Sequence, residues 1–348
     1  AHTAPRPLPS FPIPRPLQTL HKGAGLFARR FIPKGALILR DHPLYLLPDM
    51  LDQLDFDVYE AVRSGLSERR DEDLNGMANC RSPEECPSIV EGIALTNAVD
   101  IQLPSIPLDP SSNSTGTLSD PSSVPKSLTR TQTQRYGAPF PTVCKCNHSC
   151  APNAAHLWSF STLSITLYAV RDIPAGAEIT FTYADPLQPR STRQSKLSQY
   201  RFICDCDACA LQGEEGEESD RVREELSVYV QTYPSWRKWA GDLCLDDEYV
   251  VKSHERVLEL LRKEGLDALM PVFLEEIMMC YAELGEEDKF RVYAEEVVQR
   301  MRVPSPGLAE EIEKWLEDPQ RNYPTWGRRK RLRKEQGLTV NPTEMLAC

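Results

Sequence analysis

The spacing of apolar residues along this 348-residue chain changes from a period of two to a helical period as the sequence proceeds. Residues 21–47 read as turn, strand, turn, strand. The β run Ala36-Leu37-Ile38-Leu39 follows Ile32-Pro33-Lys34-Gly35, where proline at i+1 and glycine at i+3 suit a type I turn. Nearly the same string returns later: residues 171–179 (Arg-Asp-Ile-Pro-Ala-Gly-Ala-Glu-Ile) echo residues 30–38 (Arg-Phe-Ile-Pro-Lys-Gly-Ala-Leu-Ile). Two copies do not make a solenoid. Around the second copy, Leu163, Ile165 and Leu167 alternate on one face, then Ile179, Phe181 and Tyr183. This predicts two strands, the second ending at Tyr183.

Between these β blocks, residues 49–97 show patchy helical spacing (Leu51, Leu54, Val58, then Ile89, Ile93, Leu95) and predict an inserted helical unit. Residues 104–133 are rich in Ser, Thr and Pro, with almost no aromatic side chain. They offer too little apolar surface to offset ordering entropy, so a disordered insert is expected. A glutamate cluster at residues 214–218 leads into a long helical region. Val257, Leu258, Leu260 and Leu261 keep helical spacing, as do Leu274, Ile277, Met278 and Tyr281, and then Phe290, Tyr293, Val297 and Met301. Three or more amphipathic helices packed together are predicted.

Length and composition add limits. The chain is long for one core, so two are expected. A hydrophobic share of 41% and a charged share of 26% suit a globular protein, and no apolar run reaches the 18 or so residues of a membrane span. Six prolines in residues 1–20, without an apolar stretch, argue against a signal peptide. A net charge of −11 disfavours wrapping nucleic acid along the whole chain and favours a basic partner, such as a lysine-rich tail. The basic run Arg328, Arg329, Lys330, Arg331, Arg333, Lys334 reads as a solvated tail, a nuclear address or a nucleic-acid contact.

Eleven cysteines are an odd number, and six crowd between Cys144 and Cys209. In a reducing compartment that pattern reads as metal. Thiolates at Cys204, Cys206 and Cys209 can converge on one tetrahedral Zn²⁺, which needs a fourth ligand. Cys150 is the first candidate, with Cys146 and Cys144 as rivals. An all-thiolate shell leaves no position for an activated water, so the zinc would be structural.

Asn147-His148-Ser149-Cys150-Ala151-Pro152-Asn153 is a second dense cluster. Here the chain resembles the SET family, whose Asn-His-Ser-Cys-x-Pro-Asn string stands unbroken. Lys22-Gly23-Ala24-Gly25-Leu26-Phe27 is similar to that family's glycine loop, Glu178-Ile179-Thr180-Phe181-Thr182-Tyr183 to its tyrosine strand, and residues 204–209 to its post-SET zinc element. Residues 92–98, the approach Tyr200-Arg201-Phe202-Ile203-Cys204 and the helical tail narrow the resemblance to the SET and MYND subgroup and its fungal relatives. The match runs over roughly residues 20 to 300, but no Cys/His array has MYND spacing. Cys144-Lys145-Cys146 stands where related chains often have Ser-Arg-aliphatic.

The resemblance implies an α+β SET-domain β-fold of small sheets with a knot-like core. To this it adds a helical insert, a post-SET zinc element and a C-terminal helical, tetratricopeptide-like region. The domains expected are a Pro-rich segment 1–16, a SET domain 17–203 with its insert at about 49–142, a zinc element 204–213, a helical domain 214–326 and a basic tail 327–348.

By the same resemblance, Lys22, Gly23, Ala24, Asn97, Cys144, Cys146, Asn147 and His148 would line S-adenosylmethionine. Tyr200 and Phe202 would close the pocket, and Tyr183 would be catalytic, facing the methyl group. Read alone, Tyr183 is a strand-end tyrosine whose hydroxyl caps a backbone group, and His148 is a structural histidine.

The implied activity is protein lysine N-methyltransfer. It needs a neutral amine, which costs roughly 4 kcal/mol at neutral pH, and an apolar channel lowers that cost by desolvation. The expected partner is a protein lysine substrate, a histone tail or another protein. No membrane partner is expected, nucleic acid contact is expected at most through the basic run, and the chain is read as a monomer of the nucleus or cytoplasm. The rival reading is a catalytically silent SET scaffold whose helical tail grips a partner.

Overall fold

The computed structural model describes residues 14–19, 22–48, 57–104 and 133–338. Outside the described residues lie nearly all of the insert expected to be disordered, Leu51, Leu54, most of the Pro-rich segment and the end of the basic tail. The β-rich part opens with β1 (Arg15–Gln18), β2 (Ala24–Phe27), β3 (Leu37–Asp41) and β4 (Leu47–Pro48). Helices α1 (Val58–Gly65), α2 (Glu68–Asn75) and α3 (Ile89–Asn97) follow. Next come β5 (Ala98–Pro104), β6 (Thr133–Pro139), β7 (Asn147–His148), β8 (Ala154–Ser159), β9 (Ser164–Ala169) and β10 (Glu178–Phe181). The strands form three small sheets, ordered β1-β2-β10-β7, β3-β9-β8 and β4-β6-β5. With the helical C-terminal region this is the α+β architecture expected.

The chain groups into two compact units. The first gathers the described residues up to Arg40, residues 145–157 and everything from Thr166 on. The second comprises residues 41–144 and 158–165. This division differs from the expected domains: the sheet carrying the glycine loop and the helical tail fall in the same unit, and the insert forms the other.

In the first unit the two echoing strings meet. Ile32 and Ile173 exchange backbone hydrogen bonds of 2.9 and 2.8 Å as an antiparallel bridge. Each string then turns in the same way, Ala36 N–H donating to Pro33 O and Ala177 N–H to Pro174 O, both at 3.1 Å. Proline therefore sits at i and glycine at i+2, with φ of +77° at Gly35 and +82° at Gly176. That is a type II arrangement, not the type I turn the spacing suggested. At Gly35 a side chain is also barred by space, because a Cβ would come within 1.8 Å of Gln299 O.

Two strand expectations shift. Leu163 is exposed at the tip before β9 with φ +44°, not on the strand face. Tyr183 lies two residues beyond the end of β10.

The second unit packs Leu44, Leu74, Met77, Val90 and Ile93 into a small core. On α3 the buried face runs through Val90, Ile93 and Asn97, the i, i+3, i+7 stripe, while Ile89 and Leu95 are exposed.

The remaining helices are α4 (Arg190–Leu197), α5 (Asp207–Ala210), α6 (Gly213–Thr232), α7 (Trp236–Gly241), α8 (Tyr249–Glu264), α9 (Met270–Leu284), α10 (Glu287–Met301), α11 (Pro306–Glu317), α12 (Pro319–Asn322) and α13 (Arg328–Glu335). The helical core is built on α9, where Phe273, Leu274, Ile277, Met278 and Cys280 are all buried. Such a helix, apolar nearly all round, has to be enclosed by neighbours. Val257, Leu258 and Leu261 of α8 and Phe290, Ala294 and Val297 of α10 supply its surroundings. Left-handed Gly265 and Gly285 end α8 and α9, and the N–H of the next residue returns to Leu261 O and Tyr281 O.

The basic run departs from a solvated tail. It forms α13, and Arg329 is wholly buried. Its guanidinium binds Asp247 at 2.9 Å and the carbonyls of Trp239, Asp242 and Leu245, and lies 4.1 Å from the Trp239 ring centre. No helix among the described residues is long and apolar enough to cross a membrane.

Candidate active site and metal centre

β7 and β10 pair in parallel, Thr180 opposite Asn147 and Phe181 opposite His148. This brings the Asn147 segment against the tyrosine strand. Two asparagines hold it there. Asn153 donates to Glu178 O at 2.7 Å and accepts from Thr180 N–H at 2.9 Å, occupying strand groups that a neighbouring strand would otherwise satisfy. Asn147 donates to the Glu178 carboxylate at 2.7 Å.

His148 is buried, and burial holds its pKa down to about 4, so it is neutral at physiological pH. Its Nδ1 accepts from Tyr183 N–H at 2.9 Å, which places the ring proton on Nε2, 3.2 Å from Cys150 Sγ. The Tyr183 hydroxyl donates to Cys146 O at 2.5 Å. Its ring lies 5.0 Å from Tyr200, 5.1 Å from Phe181 and 5.4 Å from His148, and Phe202 stands 6.2 Å from His148. An aromatic cluster of this kind favours cations near its faces.

The glycine loop enters the same unit. Gly23 takes φ +71°, Ala24 begins β2, and Thr19 Oγ1 donates to Gly23 O at 2.8 Å. Gly25 has no room for a side chain, since a Cβ would fall 2.4 Å from Glu178 Oε1, the oxygen that holds Asn147. Lys22 is largely buried. Its ammonium pairs with Asp205 at 2.8 Å and lies 5.9 Å from the Phe202 ring centre. Burial opposes the Lys22 charge, but the hydrogen bond and charge of Asp205 outweigh it and hold the ammonium above its usual pKa.

Cys150, Cys204, Cys206 and Cys209 place their sulfurs within 4.8 Å of one another. Four thiolates about 2.3 Å from a shared ion stand about 3.8 Å apart, and Cys150 Sγ is 3.6 Å from Cys209 Sγ. The donor set therefore fits a tetrahedral zinc ion. The fourth member is Cys150. Cys146 turns its backbone carbonyl to Tyr183, and Cys144 belongs to the second unit, where its thiol donates to Pro141 O at 3.4 Å. Hydrogen bonds from the other three thiols, Cys150 first, hold Cys206 well below the ordinary thiol range.

Around the cluster, Gln194 donates to Cys204 O at 2.7 Å and accepts from Cys204 N–H at 3.1 Å. Buried Arg193 lies 3.9 Å from Cys209 Sγ. Buried Arg223 joins Cys150 O to Glu264.

Of the residues singled out by sequence, one unit thus brings together Lys22, Gly23, Ala24, Cys146, Asn147, His148, Tyr183, Tyr200 and Phe202 above the thiol cluster. Asn97 and Cys144 lie in the other unit, where Asn97 donates to Ala78 O and Ile93 O at 2.6 and 2.8 Å. Sequence reasoning missed Glu178, Arg193, Gln194, Asp205 and Arg223. Only Asp205 carried a signal, through its place between two metal-spaced cysteines.

Comparison with known families places this constellation: residues 23–184 match the SET domain family. The chain resembles the SMYD and Set5 group within that family. It is 37% identical over 90 residues to the histone-lysine N-methyltransferase set5 of Schizosaccharomyces pombe, a match covering 25% of this chain and 28% of that one. It is 28% identical over 178 residues to the histone-lysine N-methyltransferase SMYD3 of Homo sapiens, covering 48% and 39%. It is 34% identical over 84 residues to the protein-lysine N-trimethyltransferase SMYD5 of Gallus gallus, covering 23% and 20%. The matches span at most about two fifths of these relatives.

Proposed function

We propose that this protein is an S-adenosylmethionine-dependent protein lysine N-methyltransferase stabilised by one structural zinc ion. One observation carries the reading. Pairing of β10 with β7 on one side and with β2 on the other gathers the glycine loop, Asn147, His148 and the aromatic cluster of Tyr183, Tyr200 and Phe202 beside four metal-spaced thiols.

Lys22, Gly23, Ala24, Cys146, Asn147 and His148 would hold the cofactor, and Tyr200 and Phe202 would close over it. When bound, S-adenosylmethionine supplies an electrophilic methyl on a cationic sulfonium. The chain's own work is alignment and exclusion of water, because a displacement at that carbon needs no protein nucleophile. The aromatic faces would stabilise the positive charge of the bound sulfonium, while that cation and burial away from water would disfavour a protonated substrate lysine beside it and so support the neutral amine the reaction requires. The Tyr183 hydroxyl and the Cys146 carbonyl are already bonded to each other, and with the cofactor held they would supply two electron-rich oxygens to the methyl being transferred. The substrate is a lysine on a histone or another protein, as the relatives' names suggest. A four-thiolate site suits a reducing compartment, nucleus or cytoplasm.

The test is calorimetric titration of zinc-replete protein with S-adenosylmethionine, beside Asn147→Ala, followed by transfer of labelled methyl to histone octamers. Micromolar binding that the variant loses is the expected result. A folded, zinc-loaded wild type that takes up no cofactor would instead support a silent scaffold.

A further inference from the structure

Among the described residues, one ion pair links the glycine loop to the zinc element. Lys22, the first residue of the loop, reaches Asp205, which stands between the metal-spaced Cys204 and Cys206. The Lys22 side chain is 17% exposed and that of Asp205 64%. The lysine is therefore fixed by a partner that itself stays largely in water. Its ammonium also faces Phe202, two residues before Cys204. Next to it Gly23 has φ +71° with no atom near the position of a Cβ. The loop backbone is held from the end of β1, by Thr19 N–H on Gly23 O at 2.7 Å and Lys22 N–H on Thr19 Oγ1 at 3.1 Å, and the Lys22 side chain ties it to the zinc element.

We propose that Asp205 is a positioning residue that ties the glycine loop to the zinc element, so that cofactor affinity depends on this bridge and not only on residues lining the pocket. Cys204 and Cys206 fix the backbone on either side of Asp205 when they hold the metal, and Asp205 in turn fixes Lys22. The order of the zinc element is passed to the loop through one ion pair. The inference rests on the methyltransferase reading, since the ligand whose affinity reports on it is S-adenosylmethionine.

The test is calorimetric titration with S-adenosylmethionine of wild type, Asp205→Asn, Asp205→Glu, Lys22→Met and the Asp205→Asn/Lys22→Met double variant. Bound zinc is counted in every sample. The expected result is one zinc per chain throughout, affinity about fivefold weaker in Asp205→Asn, recovery of most of it in Asp205→Glu, and a double variant no weaker than Lys22→Met alone. A bridge that acts only in folding would instead lower thermal stability and leave affinity unchanged. Wild-type affinity in zinc-loaded Asp205→Asn overturns the proposal, and so do additive losses in the double variant or loss of zinc from Asp205→Asn. No binding by wild type is a different failure, that of the methyltransferase reading itself.

Discussion

At the scale of single residues, Tyr183 carried two readings, a backbone cap and a catalytic tyrosine, and the cap is the one visible as a contact. Taken alone it was a tyrosine capping a backbone group, and it does cap Cys146 O. The same cap sets its ring among His148, Phe181 and Tyr200. Tyr183→Phe keeps the ring and removes one of the two oxygens, so turnover should fall roughly a hundredfold, the usual scale for losing one preorganised polar group. Cofactor affinity measured by calorimetry should stay within about twofold; unchanged turnover would remove Tyr183 from the reaction. Glu178 was named only as the first residue of the tyrosine strand, with no role of its own. A glutamate opening a strand reads as a solvated end, and only the fold shows its carboxylate fixing Asn147 and its oxygen filling the space that obliges residue 25 to be glycine.

At the scale of elements, three of the four thiols of the cluster were legible because they lie within six consecutive residues. The fourth could not be chosen from Cys150, Cys146 and Cys144, because that choice depends on strand pairing distant in sequence. Parallel pairing of β7 with β10 sets Cys150 at the cluster, leaves Cys146 bonded to Tyr183 through its carbonyl, and fixes the His148 tautomer facing Cys150. The cations around the cluster were hidden for another reason. Arg193 and Arg223 look like ordinary helix-surface arginines until their carbonyl and sulfur partners are seen.

Removing the metal should therefore release more than a loop. Without it, four thiols converge with no shared partner, and the segment from Ser198 to Leu211 loses its anchor. Chelation should abolish amide-exchange protection across that segment while α9 and α10 keep theirs, and should lower the melting temperature by about 5 °C or more. Full protection of residues 198–211 after verified zinc removal would show that the thiol cluster is only a packed core. The turn type at Gly35 and Gly176 was missed on a smaller scale: the string fixes which residues turn, whereas the hydrogen bond that closes the turn decides which of them sits at i+2.

At the scale of the whole molecule, the helical region was legible in kind from its apolar spacing, but its extent was not. A run of six cations signals solvent to any composition argument, yet Arg329 is drawn into the core by Asp247 and three carbonyls, one of them 90 residues earlier in the chain. Only a fold that aims those carbonyls and the Asp247 carboxylate at one point can satisfy the N–H groups of a guanidinium buried there.

The same core contains a second buried titratable group with the opposite logic. His254 on α8 is fully buried among Tyr229, Tyr233 and Phe273, and its Nδ1 lies 2.9 Å from the Tyr229 hydroxyl. Burial lowers its pKa to about 4, a backbone contact at Pro234 only partly opposing the shift. Above pH about 6.5 neither folded nor unfolded chain protonates this ring, and its contribution to stability is complete. As pH falls below that value the unfolded chain binds a proton that the folded chain refuses. Stability is lost progressively, by up to about 3 kcal/mol, until pH 4, where the folded state also accepts the proton.

Urea unfolding at pH 7, 5.5 and 4.5 should show this decline, and His254→Phe should flatten it between pH 6.5 and 4 even though it lowers stability at pH 7 through the lost bond to Tyr229. Parallel pH profiles for wild type and variant would mean that other groups govern the acid response.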